Sequence, residues 1–172
     1  MKRVKLNGDS RKLHDLMIRL VAGDELQSKM HDAVAWRAYR LFEVRGCVPG
    51  HETEDWARAE SEVVGPLTCG SLDQDYRICL TADTTCFDEG PIEMWMEPRR
   101  LTLCGFDPNH KLLPVPPGQP ERTRRDLIFR VHEFAVELDP AGVIARFNGP
   151  ALDIYLAKAG AHVEMREMVA AA

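Results

Sequence analysis

Residues 10–64 carry apolar side chains at helical spacing. In residues 10–23 these side chains recur every three or four positions, which predicts a short amphipathic helix. Residues 24–46 predict a second, longer helix, because a capping-box pattern at Asp24 is followed by one continuous apolar face. A third helix is predicted where the acidic residues after His51 favour a helix N-terminus. The apolar positions of this third helix are Trp56, Ala59 and Val63.

From residue 71 onward the apolar period changes to two, which is the period of β-strands. Six segments alternate apolar and polar positions, and they are separated by Gly, Pro and Asp rather than by helical stretches. The predicted fold class is therefore mainly β with an N-terminal α-helical segment: an immunoglobulin-like antiparallel β-sandwich preceded by about three helices. The six segments are 76–81, 92–97, 101–104, 127–132, 143–147 and 152–156.

This change of period predicts the domain organisation. We expect an N-terminal helical segment over residues 1–66 and a β-sandwich over residues 71–160, followed by a C-terminal tail at 161–172. Within the sandwich, residues 105–125 are rich in proline and too long for a tight hairpin.

Composition narrows the class of protein further. The 172 residues carry a formal net charge of −5, which argues against a nucleic-acid partner, because neutralising phosphates requires a basic surface. No apolar run approaches the roughly 20 residues of a membrane span, and no signal-peptide core follows the first residues. We therefore expect a cytoplasmic protein without membrane contact. An odd set of five cysteines without a C-x-x-C pair favours reduced thiols.

The sequence contains no recognisable catalytic or cofactor motif. Cys47 and His51 could supply two zinc ligands, but a structural site needs four, so we interpret them as part of a turn. Neither a nucleophile elbow nor a phosphate-binding glycine loop is present. We predict no metal, no cofactor and no enzymatic activity.

Residues 76–158 resemble the alpha-crystallin domain of the small heat-shock proteins. Residues 100–105 are similar to its L-T-I-x-G hairpin, and residues 145–152 to its A-x-x-x-N-G-V-L segment. The chain departs from the family at residues 85–86 and 134–135, where Pro-Gly and Leu-Pro are usual. The family's C-terminal I-x-I/V motif is absent, and the nearest tripeptide lies inside the proline-rich loop at 113–115.

The resemblance implies a binding groove and a subunit contact. The groove would be lined by residues of two strands that face each other, and the arginine matching Arg130 would lie at a contact between subunits. The alternative for Arg130 is a position facing solvent. The implied groove residues are Met94, Met96, Val143, Ala145 and Phe147.

The run Met94-Trp95-Met96 makes both faces of one predicted strand apolar. Methionine adapts to varied apolar partners, which suits a surface that binds unfolded chains. The alternative is a core position, with Trp95 covered by the N-terminal helices or by a partner.

A second resemblance concerns the helical part. Residues 37–46 and 51–60 closely resemble the pattern of a short bacterial domain family of unknown function, which we place at residues 26–63. This resemblance implies a helical hairpin in a bacterial protein and no chemistry.

The resemblance to the small heat-shock proteins implies an ATP-independent holdase of the stress response. Its partners would be unfolded or partly folded client proteins, and it would form a homodimer or small homo-oligomer. The alternative is a specific adaptor that docks one partner protein and does not act as a chaperone. The missing tail motif and the altered turns favour this alternative.

Overall fold

Two helices and ten strands form the described part of the chain in the computed structural model. The structure describes residues 2–3, 16–20, 23–87, 90–106 and 127–160. The helices are α1 (Gly23–Val44) and α2 (Glu52–Val63). The strands are β1 (Lys2–Arg3), β2 (Leu16–Leu20), β3 (Val64–Pro66), β4 (Cys69–Asp73), β5 (Arg77–Asp83), β6 (Ile92–Glu97), β7 (Arg100–Phe106), β8 (Leu127–Glu133), β9 (Leu138–Asn148) and β10 (Ala151–Lys158).

The strands form two sheets that pack face to face. The first sheet has the order β1-β2-β6-β7-β8-β3, and the second has the order β4-β5-β10-β9. One buried apolar cluster lies between them, as the strand pattern predicted. The first sheet contributes Leu16, Ile92, Met94, Met96, Leu101, Leu103 and Ile128, and the second contributes Ile78, Leu80, Ala82, Leu138, Ala145, Leu152, Ile154 and Leu156.

The strand directions differ between the sheets. Every pairing in the second sheet is antiparallel, but in the first sheet β2 pairs with β6, and β3 with β8, in parallel. The prediction of an antiparallel sandwich is therefore confirmed for the second sheet and the β6-β7-β8 core of the first, and wrong at its flanks. The reason is that β2 and β3 precede their partners by long stretches of chain, so no hairpin turn imposes an antiparallel direction.

The two helices pack on each other and on the outer face of the first sheet. Leu26, Val34 and Leu41 of α1 and Ala59 and Val63 of α2 share a second buried cluster with residues of β6, β7 and β8. α1 ends before Gly46, whose φ of 86° suits a residue without a side chain. The second and third predicted helices are thereby confirmed.

The first predicted helix is wrong where the structure describes it. Residues 16–20 form strand β2 rather than part of a helix, so the described residues contain two helices instead of about three. The spacing of Leu16, Met17 and Leu20 fits a helix, but the edge of β6 offers main-chain hydrogen bonds and a core position that outweigh this local preference. Residues 10–15 and 21–22 of that segment, residues 107–126 of the proline-rich loop, and the tail at 161–172 lie outside the described residues.

Candidate functional site

The structure brings the five predicted groove residues to one place. Met94 and Met96 lie on β6 of the first sheet, and both are fully buried. Ala145 lies on β9 of the second sheet and is also buried, while Val143 and Phe147 are partly buried against the same cluster. The two strands face each other across the interior of the sandwich. The five residues thus belong to one buried apolar cluster, and their role as a binding groove stays a prediction.

Strand β2 closes this interface. It pairs in parallel with β6 over five residues, from Leu16 opposite Ile92 to Leu20 opposite Met96. The side chain of Leu16 is only 3% exposed and belongs to the cluster between the sheets. This strand was not predicted from the sequence, although Leu, Ile and Leu at the alternate positions 16, 18 and 20 were a usable signal.

A group of charges lies on the outer side of the same strand pair. Arg19 of β2 bonds Glu25 at 2.8 Å, and its Nε lies 3.6 Å from Glu93 Oε2. Lys29 of α1 donates to the same Glu93 oxygen at 2.8 Å. Arg19 and Lys29 both lie over the Trp95 ring, 4.9 and 5.4 Å from its centroid. We call these five residues the Glu93 cluster; it joins β2, β6 and α1.

Trp95 is covered by the helices. It is 1% exposed and packs in the cluster formed with α1 and α2, together with Cys104 and Phe129. This confirms the alternative given for the Met94-Trp95-Met96 run, a core position with Trp95 covered by the N-terminal helices, and the cover comes from the same chain. The Met-rich side of β6 and the Trp95 side are therefore both buried.

Arg130 lies half-buried on β8 beside the added strand β3. Its Nη1 donates to the Phe129 carbonyl oxygen at 2.9 Å and approaches the Val63 carbonyl oxygen at 3.5 Å. Burial raises the pKa of the nearby Cys86 thiol, and the Arg130 guanidinium partly opposes this rise. Arg130 therefore has partners within its own chain, and its role as a subunit contact stays a prediction.

The outer face of the second sheet carries an exposed apolar row that the sequence analysis did not identify. Leu72 pairs with Cys79, Cys79 with Tyr155, and Tyr155 with Ile144, so one residue from each strand stands in line. Leu72 is 59% exposed and Ile144 is 54% exposed. No strand alone shows more than one apolar residue larger than alanine on its outward face, so the row emerges only from the register.

The thiols and carboxylates of the described residues form no evident reaction centre. Cys69 Sγ lies 3.5 Å from His132 Nδ1, but burial raises the pKa of the Cys69 thiol, which disfavours the nucleophilic thiolate. Cys47 is exposed, and His51 bonds Glu54 at 2.8 Å. Within the described ranges, no three His, Cys, Asp or Glu side chains come together in a way that could hold a metal ion. No helix among the described residues is long and apolar enough to cross a membrane.

Several solved structures are similar to part of this chain. Heat shock protein 16.0 from Schizosaccharomyces pombe has 13% identity, covers 55% of this chain and 88% of its own, and gives a TM-score of 0.40. The hspA from Xanthomonas axonopodis has 18% identity; the match covers 55% of this chain and 95% of that protein, with a TM-score of 0.40. A small heat-shock protein from Xylella fastidiosa has 20% identity; the match covers 55% of this chain and 86% of that protein, with a TM-score of 0.37.

The helical hairpin has a match of its own. No curated protein matches the sequence. A family model described as "Protein of unknown function (DUF2934)" matches residues 30–64, which include much of α1 and all of α2. This range agrees with the short domain family of unknown function predicted at residues 26–63.

Proposed function

We propose that this chain is an ATP-independent holdase that binds extended segments of unfolded or partly folded proteins between β6 and β9. The observation that supports this proposal is strand β2 itself. An extended segment already adds to the edge of β6 in parallel and inserts Leu16 between the sheets. Strand addition of this kind gives affinity through main-chain hydrogen bonds and selects only the side chains at alternate positions.

The chemistry of the groove wall suits varied clients. Met94 and Met96 present unbranched, polarizable side chains that repack around different apolar groups at small energetic cost. Val143 and Phe147 on the facing strand are only partly buried, so they remain within reach of an incoming side chain. The net charge of −5 opposes aggregation of the resulting complex.

The proposal includes no chemical step, no cofactor and no metal. It places the chain in the cytoplasm as a homodimer or small homo-oligomer, with Arg130 at the contact between subunits. An arginine suits such a contact because its planar guanidinium bonds carboxylates and carbonyl oxygens in two directions at once.

The second candidate function is an adaptor for one partner protein. The covered edge of β6 favours it, because the groove is closed while the row Leu72, Cys79, Tyr155 and Ile144 is exposed. An exposed apolar row of fixed register would bind one complementary surface rather than many unfolded chains.

Light scattering of heat-labile proteins separates the two functions. We expect the full chain to suppress the aggregation of several unrelated clients at a stoichiometric ratio. Val143→Ser, on the groove side of β9, should weaken suppression, whereas Ile144→Ser, on the opposite face of the same strand, should not. Circular dichroism of both variants checks that they fold. Absence of suppression for every client at stoichiometric excess would refute the holdase and favour the adaptor.

A further inference from the structure

We propose that strand β2 is an internal competitor for the groove, and that the segments which displace it are extended, apolar at alternate positions, and basic where Arg19 lies. This inference rests on the proposed function, since it names the class of segment that the same groove binds. It also assigns a regulatory role to residues 16–20, which the fold otherwise uses only as an outer strand.

The pairing geometry makes β2 displaceable. It spans five residues and pairs in parallel with β6, and parallel pairing is slightly weaker per residue than antiparallel pairing. On its other side, within the described part of the chain, β2 pairs with just the two residues of β1. When β2 leaves, β6 still pairs with β7 and so remains part of the sheet. The groove can therefore open without loss of the central strands.

The charges around Glu93 explain why the departure of β2 does not leave a buried carboxylate without a cation. The Glu93 side chain is only 16% exposed, so a carboxylate left there without a cation would be costly. Lys29 holds the same oxygen from α1 and also lies over the Trp95 ring, and neither contact depends on β2. Removal of Arg19 thus leaves Glu93 paired. Arg19 is a second cation beside Glu93, whose charge Lys29 still neutralises when β2 has left.

The same charges define what an incoming segment must carry. A competitor that takes the register of β2 places one residue opposite Trp95, where Arg19 now lies. A Lys or Arg at that position can form ion pairs with Glu25 and Glu93 and a cation–π contact with the Trp95 ring, as Arg19 does now. An acidic residue at that position meets two carboxylates. The groove therefore selects by charge at one position and by apolar character at the alternate ones.

The test measures the binding of defined peptides to the full chain. The probe is a fluorescein-labelled peptide with the sequence of residues 14–21, His-Asp-Leu-Met-Ile-Arg-Leu-Val, and a second peptide carries Glu in place of Arg. Arg19→Glu in the protein repels β2 from the cluster. The matched control is Arg100→Glu, which makes the same charge change. It breaks an exposed ion pair between Arg100 of β7 and Glu133 of β8, strands that lie on the side of β6 away from β2.

We expect Arg19→Glu to bind the basic peptide about tenfold more tightly than the wild type and Arg100→Glu, because a larger fraction of molecules has an open groove. It should bind the acidic peptide about tenfold more weakly than the basic one. Arg19→Gln provides a milder version if the reversed charge disturbs folding. Equal affinity of the wild type and the Arg19 variants, or equal affinity for both peptides, would overturn the inference.

Client aggregation assays on the same variants separate this inference from the proposed function. If the peptides bind as expected but no client is protected, the holdase function fails and the role of β2 stands. If clients are protected equally by the wild type and the Arg19 variants, and the peptides do not compete with them, the role of β2 fails and the holdase function stands.

Discussion

Replacing Leu16 by alanine measures how firmly β2 closes the groove. The leucine side chain is almost completely buried between the sheets, so its truncation removes three carbons from the core. At about 0.8 kcal/mol for each buried carbon, the loss is about 2.4 kcal/mol. This value lies at the lower end of the range of about 2–5 kcal/mol for buried Leu→Ala substitutions, as expected at an outer strand that can relax around the gap.

Amide hydrogen exchange as a function of denaturant provides the assay. Because 1.4 kcal/mol corresponds to a factor of ten, the opening equilibrium of β2 should rise about 50-fold in Leu16→Ala. In the wild type we expect the β2 amides to exchange through a small opening that depends little on denaturant, and the β7 amides to exchange only on global unfolding. The control Leu72→Ala truncates a leucine that is 59% exposed on β4, and should leave β2 exchange nearly unchanged.

Opening of β2 only together with the whole protein would contradict this prediction. In that case the wild-type amides of residues 17–20 would show the same exchange free energy and the same denaturant slope as those of β7. Strand β2 would then be an integral part of the core, and no client segment could replace it while the fold persists.

Further predictions concern packing, pH and assembly. Gly105→Ala would place a Cβ within 2.4 Å of Phe87 Cδ1, and should lower the free energy of unfolding in urea by about 1–3 kcal/mol. Gly70→Ala, where a Cβ meets nothing within 4 Å, should change it by less than about 0.5 kcal/mol. Burial raises the pKa of the Cys104 thiol from 9.0 to about 12. The unfolded chain then loses this proton first, so stability falls as the pH rises from about 9 towards 12. Cys104→Ala should reduce the difference between the urea midpoints at pH 8 and pH 10, and an unchanged difference would contradict this. Arg130→Ala should lower the solution mass measured at several concentrations, and an unchanged mass would argue against a subunit contact.

Much of the candidate site was predictable, because its residues lie on strands with clear alternation. Met94 and Met96 share a face of one predicted strand, and Val143, Ala145 and Phe147 share a face of another, so each set could be assigned together. That the two faces meet across one core is a property of the sandwich, which the resemblance of residues 76–158 implied. The closing segment was not predictable in the same way, since residues 16–20 satisfy both a helical and a strand pattern.

The amino-acid sequence by itself determined the local elements: two helices and six strands, where hydrophobic period, capping residues and turn residues agree. Only the tertiary structure decided what covers the strands of the first sheet. A five-residue segment such as Leu16–Leu20 has too few local contacts to fix its own conformation, so the free hydrogen-bonding groups along β6 decide it. The pairing of Arg19 and Lys29 with one carboxylate, and the alignment of Leu72 with Ile144 across four strands, likewise depend on register. Register is set by the packing of the whole sandwich rather than by any one strand.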